Sequence, residues 1–157
     1  MTTQILLFPF FYTGAKISAR DISDAMASEA GRRAKEMGIK AKFYTSDLES
    51  VTGKYHTVSC VDVAIHYPTE KMTEMVTHLC SLANERVIIS FAPKTWYYVA
   101  LKKIGELFPG PSKTTRAYLH EEEVVRKALK EAGFEIARDD MTATNFYFSR
   151  LFEAKRV

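Results

Sequence analysis

A doubly wound α/β sheet carrying one reversed strand is the fold class this sequence predicts, and three observations point to it. Short apolar strands alternate with capped helices along most of the chain. Two of those strands, over residues 57–63 and 86–91, are nearly continuous apolar runs of the kind a buried parallel strand needs. The last two strands follow each other with no helix between them, which makes them an antiparallel hairpin.

The elements read in order as follows. Residues 16–20 form a short strand ending at Asp21; Ser23 then caps a helix through about Met37, closed by Gly38 in the usual C-terminal position. Residues 40–45 alternate and end at Ser46-Asp47-Leu48, and a loop around Gly53 separates them from the 57–63 strand, which holds Asp62 near its end. Thr69 caps a helix to about Leu82, residues 86–91 form the next buried strand, and 95–108 read as helical until Pro109-Gly-Pro111 stops them. A further helix over about 121–132 ends at Gly133, and strands over 134–138 and 145–154 close the chain.

Composition bounds the reading. The 157 residues make one domain of ordinary size, and 46% hydrophobic with 26% charged residues is the balance of a globular protein. A net charge of +3, evenly spread with no like-charge block longer than Glu121-Glu122-Glu123, gives no footing for nucleic acid. The two cysteines, Cys60 and Cys80, have neither metal-ligand nor paired spacing and read as reduced core thiols. The apolar stretch 5–11 is too short for a membrane span and has neither the basic start nor the cleavage site of a secretory signal. It also lacks the Arg and Ser richness of an organelle transit peptide, so no address is readable.

Ligands of such sheets bind at the carboxyl ends of the strands, and the chemistry-bearing residues cluster there. Asp21 can accept both hydroxyls of a ribose, or simply serve the helix that follows it. Asp47 with the Leu48 backbone can read an adenine edge, or make a turn. His66, just past the central strand, can act as a base, orient a hydroxyl or carboxylate, ligate a metal, or bond a loop carbonyl. Asp62 can support that loop or a ligand amine. The segments 91–98 and 109–118 hold the only Trp, several Tyr, and the cations Lys94, Lys113 and Arg116. Such a mixture suits a large flat acidic ligand, and equally suits loop packing. His56, His78 and His120 are assigned no chemistry. The seven glycines never form a G-x-G turn.

Asp21-Ile-Ser, Ser46-Asp-Leu-Glu-Ser50, Thr52-Gly-Lys-Tyr55, Val61-Asp-Val-Ala-Ile-His-Tyr-Pro68 and Ile89-Ser-Phe-Ala-Pro-Lys-Thr95 lie in the first part of the chain. Ile104-Gly-Glu-Leu-Phe-Pro-Gly-Pro-Ser-Lys113, Arg116-Ala-Tyr-Leu-His120 and Phe146-Tyr-Phe-Ser-Arg-Leu151 follow. Together these motifs closely resemble the magnesium protoporphyrin IX methyltransferases, the S-adenosylmethionine-dependent O-methyltransferases of chlorophyll biosynthesis. The resemblance covers about residues 15 to 155, and its last three motifs are far more specific than a general methyltransferase signature.

It implies a Rossmann-like class I methyltransferase sheet with a C-terminal antiparallel hairpin. It also implies S-adenosylmethionine as cofactor and a propionate carboxylate of magnesium protoporphyrin IX as acceptor. By resemblance, Asp21 and Ile22 lie at the cofactor ribose, Asp47 and Leu48 at adenine, Asp62 beside the cofactor, and His66 close to the transferring methyl. Arg116, with Lys94 and Tyr118, is expected to face the porphyrin propionates, a guanidinium being able to bind a carboxylate bidentately, or Arg116 only ties its loop to Glu121 or Glu122. Location in a chloroplast, or in the cytoplasm of a photosynthetic bacterium, is implied as well, as is association with a membrane surface or with magnesium chelatase.

The chain departs from the family ahead of Ala15, where a first strand, a glycine-rich turn and a first helix are expected and the atypical segment 1–14 stands instead; 15–157 is the truncated methyltransferase domain. The missing strand belongs between the strand ending at Asp21 and the one holding Asp62, which leaves two open edges. Residues 5–11 can reach one of them only as an antiparallel hairpin through Thr13-Gly14. A second expectation follows: a catalytically inactive fragment that keeps porphyrin or partner binding.

Overall fold

The computed structural model describes residues 14–95, 118–144 and 148–157. The chain divides into two compact units, one ending at Thr52 and one beginning at Gly53.

The first unit is a β-α-β element. Strands β1 (Ile17–Asp21) and β2 (Ala41–Thr45) pair in parallel, Ile17 opposite Ala41 and Asp21 opposite Thr45. Helix α1 (Asp24–Glu36) connects them. Both strands alternate between half-buried and exposed positions, the period-two pattern of a sheet with one covered face. Ser23 caps α1 as expected, its Oγ accepting from the Met26 N–H at 3.4 Å. Asp24 in the first turn and Arg33 and Lys35 in the last complement the helix dipole. Gly38, at φ +69°, takes the left-handed position that ends the helix.

Ala27 and Ala34 form the buried face of α1. Gly31 shares that face, and a Cβ placed there would lie 3.6 Å from the Phe43 ring, an ordinary contact distance.

The second unit is a four-stranded mixed sheet in the order β3-β4-β6-β5. Strand β3 (Tyr55–Cys60) runs parallel to β4 (Ala83–Phe91), and β6 (Phe148–Arg156) pairs antiparallel with both β4 and β5 (Phe134–Ala143). Helix α2 (Met72–Leu82) packs on β3 and β4 and against α3 (Glu122–Glu131), which packs on β5. Met72, Val76 and Leu79 of α2, Val87 and Ile89 of β4 and Val125 and Leu129 of α3 are essentially inaccessible. So is Phe152, which meets Phe91 edge-on at 5.2 Å between ring centroids. Arg156 lies over the Phe134 ring and donates to the carbonyls of Cys80, Ala83 and Asn84, satisfying acceptors where α2 passes into β4. Cys60 and Cys80 are free and buried, and burial pushes their thiols up to about 12 and about 11.

Several boundaries differ from the sequence reading. β3 stops at Cys60, so Asp62 lies in the following loop with φ +58°, not inside the strand. Thr69 does not cap α2: it starts a separate 3-10 turn (Thr69–Lys71), and Lys71, whose side chain caps nothing, precedes the helix. β5 runs on to Ala143 because its outer half pairs with β6 and because Asp139 meets the guanidinium groups of Arg126 and Arg150. The expected helix over 95–108 and its stop at 109–111 fall almost wholly outside the described residues, as does segment 1–13. Among the described residues, β1 pairs only with β2, and β3 only with β4.

Gly31→Ala should stabilise the first unit by about 0.5–1 kcal/mol, since it removes glycine's backbone entropy from a helix interior without a clash. Denaturant unfolding of the two proteins side by side measures it; a loss of stability would show that α1 sits closer to Phe43 than described.

Candidate functional site

Each unit gathers candidate residues at the carboxyl ends of two neighbouring parallel strands. In the first unit these are the ends of β1 and β2. The Asp21 carbonyl accepts from the Ser46 N–H at 3.0 Å, which ties the two ends together. The Asp21 carboxylate uses Oδ1 to accept from the Ser23 N–H at 2.8 Å. Its Oδ2 makes no hydrogen bond among the described residues. The helix-serving role and an open acceptor therefore coexist in one side chain. Beside it Ile22 is 79% exposed, an apolar face of the kind that a purine or ribose can cover. Asp47 accepts from the Ser50 N–H at 2.8 Å, and its carbonyl takes the Ser50 hydroxyl at 3.1 Å, which makes 47–50 a closed turn. The bonds from Ser50 hold its carboxyl below the usual carboxylate range, so Asp47 is an anion at neutral pH. Leu48 sits half-buried in the same turn.

In the second unit three segments meet. The first follows β3: Asp62 in its left-handed conformation, then a 3-10 turn (Ala64–His66) that ends in the exposed His66. The second follows β4: Ser90, Ala92, Pro93 and Lys94. The third returns at 118–121, where the His120 N–H donates to the Ala92 carbonyl and the Lys94 N–H to the His120 carbonyl, both at 2.9 Å. Ser90, buried at the end of β4, holds Asp62 twice: its Oγ accepts from the Asp62 N–H at 2.9 Å and lies 3.4 Å from Asp62 Oδ1. That clamp offsets the cost of a non-glycine residue at positive φ.

His120 was not among the candidates, yet it is the fully buried polar residue of this cluster. Its Nε2 is 2.9 Å from the Ala64 carbonyl oxygen. A carbonyl can only accept, so Nε2 carries the proton and Nδ1 is bare; Nδ1 has no partner among the described residues. Burial pushes its pKa down, against the smaller raising effect of the Ala64 carbonyl. It closes the Arg116-Ala-Tyr-Leu-His120 motif, but no periodicity or ligand spacing gives it a role, because its burial comes from pairing with residues 92–94.

His66, in contrast, is solvent-facing, and among the described residues its imidazole has no hydrogen-bond partner. Lys94 extends its ammonium to Glu121 at 2.9 Å in an exposed ion pair. Tyr118 is 39% exposed, its N–H bonded to the Ile65 carbonyl at 2.9 Å. The structure thus joins the segments that carry Asp62, His66, Lys94 and Tyr118; Arg116 lies outside the described residues. His56 is at the far end of β3, 3.2 Å from Glu85.

The profile of the family described as "Magnesium-protoporphyrin IX methyltransferase C-terminus" matches residues 60–156. The chain belongs to this family. It is 56% identical over 155 residues to the chloroplastic magnesium protoporphyrin IX methyltransferase of Arabidopsis thaliana, covering 97% of this chain and 50% of that protein. It is 53% identical over 154 residues to the magnesium-protoporphyrin O-methyltransferase of Synechocystis sp. (strain ATCC 27184 / PCC 6803 / Kazusa), covering 96% and 67%. The crystal structure of magnesium protoporphyrin IX methyltransferase from Synechocystis PCC 6803 with bound SAH superposes with a TM-score of 0.86 at 50% identity, covering 97% of this chain and 69% of that one. The fold is therefore that of the class I methyltransferases. The chain spans about half the length of the Arabidopsis relative and about two thirds of the cyanobacterial one.

The neutral, buried His120 makes stability depend on pH. Its folded pKa lies below the ordinary value of 6.5, so below that value the unfolded chain takes up a proton that the folded chain refuses. Its contribution is complete above about pH 6.5 and is lost as pH falls toward the folded value, at most about 1.4 kcal/mol per pH unit for one proton. Thermal melts between pH 7.5 and 5.5 should show a steeper decline for the wild type than for His120→Gln, which cannot titrate. Parallel declines would mean that His120 is not held neutral.

Proposed function

We propose that this chain serves methyl transfer from S-adenosylmethionine to a propionate carboxylate of magnesium protoporphyrin IX. The observation that carries the proposal is the 50% identity, over 97% of the chain, to a methyltransferase crystallised with SAH. The described residues fit the cofactor in their chemistry. Asp21 keeps one carboxylate oxygen open for ribose hydroxyls beside the bare Ile22, and the anionic Asp47 and Leu48 stand at the next strand end for an adenine edge. For Asp62 the resemblance alone supports a cofactor role. S-adenosylmethionine, when bound, supplies an electrophilic methyl group.

A propionate is already ionised at neutral pH, so the protein has no proton to remove from the acceptor and its work is alignment. In this reading His66 orients the carboxylate or approaches the central magnesium from its exposed turn. Tyr118 offers a ring face to the macrocycle, and Arg116 binds a propionate with its two-pronged guanidinium. Lys94 joins it by exchanging Glu121 for the propionate; an exposed pair of that kind contributes little and is readily given up. A chloroplast, or a photosynthetic bacterium, is the proposed setting, supported by the naming of the Arabidopsis relative as chloroplastic. Association with a membrane surface or with magnesium chelatase is proposed on the resemblance alone.

Incubating the chain with S-adenosylmethionine and magnesium protoporphyrin IX should yield a porphyrin heavier by one methyl group, seen by mass spectrometry. Calorimetry should give measurable binding of S-adenosylhomocysteine, weakened about tenfold or more by Asp21→Asn through loss of a charged hydrogen-bond acceptor. No product, together with no binding at millimolar S-adenosylhomocysteine and intact porphyrin binding, would replace this reading with that of an inactive binding fragment.

A further inference from the structure

We propose that His120 is a positioning residue for the porphyrin-facing surface: its Nε2–H bond to the Ala64 carbonyl locks the turn that carries His66 onto the segment that carries Tyr118. This rests on the function proposed above and adds a residue to it.

The geometry is a clamp at more than one point. Ala64 and Ile65, the two residues before His66, both offer carbonyls to the 118–120 segment, one to the His120 ring at 2.9 Å and one to the Tyr118 N–H at 2.9 Å. On the far side of His66, the Thr69 hydroxyl donates to the Leu119 carbonyl at 3.4 Å. The same segment is stitched to the end of β4 by the Ala92 and Lys94 bonds to His120. The segments bearing His66, Lys94 and Tyr118 therefore meet at His120, the residue that bonds to both of the other two segments: its backbone pairs with 92–94, and its imidazole adds a buried bond to the turn after β3 beside those of Tyr118 and Thr69.

The choice of side chain supports a directional role over a filling one. His120 is completely buried, yet only one of its two ring nitrogens has a partner among the described residues. A phenyl ring would fill the same space with no polar atom to leave bare. What the imidazole supplies and the phenyl does not is a donor aimed at Ala64. Ala64 is itself inaccessible, and its carbonyl also takes the Tyr67 N–H at 3.1 Å, so the bond closes onto the turn's own hydrogen bond. Reacting groups in methyl transfer gain most from fixed placement, and a small displacement of a holding loop is enough to lose it.

The test compares His120→Phe, which keeps bulk without a donor, with His120→Gln, whose side-chain amide restores a donor near Nε2. In titrations followed by the Soret band, His120→Phe should bind magnesium protoporphyrin IX about tenfold or more weakly, with S-adenosylhomocysteine affinity unchanged, and His120→Gln should recover most of the loss. Hydrogen exchange at the Tyr118 amide should quicken in His120→Phe and slow again in His120→Gln, while the β4 amides of Val87 and Ile89 keep their protection. Wild-type porphyrin affinity in His120→Phe overturns the proposal, as does a loss that the glutamine variant does not repair or one shared equally by both ligands. Should the wild-type chain bind no porphyrin, the functional reading is what fails, and the Tyr118 exchange rates then decide the clamp by themselves: quickened exchange in His120→Phe alone supports it, and equal rates overturn it.

Discussion

Strand β4 is the constraint on which the larger unit depends. It is paired on both sides, with β3 in parallel and with β6 antiparallel, and α2 covers it. Ala83, Val87, Ile89 and Phe91 are essentially inaccessible along its length. A strand so enclosed has one register in which its apolar residues stay dry, and a slip of one residue would turn them all to the other face. Since β3 is held in parallel register to it, Cys60 opposite Ile89, the carboxyl ends of the two strands must emerge together. The candidate residues of this unit gather at that end for this reason. Ser90 reaches Asp62 across it, and Pro93 pairs with His120 just beyond.

The smaller unit follows the same rule with fewer parts. One parallel pair and one crossover helix bring two carboxylates to adjacent strand ends, and each is already engaged in local structure. Asp21 serves the start of α1 with one oxygen, and Asp47 closes a turn with Ser50. At Asp21 only Oδ1 is used, which leaves the second oxygen for the ribose role proposed above. The bond also fixes the side chain in place, so the proposed acceptor has lost its rotamer freedom beforehand.

Much of this was legible in the sequence where the signal is local. The alternation of 16–20 and 40–45, the Ser23 cap and the glycine stops are short-range effects, and the elements they define agree with the structure to within a residue or two. The reversed C-terminal pair was legible too, from the absence of a helix between its strands. Misreadings arose where distant residues decide. Val61 and Val63 extend the apolar run, but Ser90, on another strand, pulls Asp62 into a left-handed turn that ends β3 early. Thr69 has the chemistry of a cap, yet its hydroxyl goes to Leu119. His120 stood in a recognised motif but carried no periodicity that would assign it a role, because its burial is a property of pairing between loops. Lys94 and Tyr118, singled out by residue chemistry, are exposed beside that pairing, which no local pattern in the sequence announces.

The function proposed above has the carboxyl ends of β3 and β4, joined by residues 118–120, as the face that meets the acceptor. Magnesium protoporphyrin IX is diamagnetic with a strong ring current, so titrating it into isotope-labelled protein and mapping amide shift changes reports the contact directly. The account predicts the largest changes at Asp62, Val63, His66, Lys94 and Tyr118, with α3 and β5 unmoved. Changes centred on α3 or β5 instead, with those five residues silent, would contradict it.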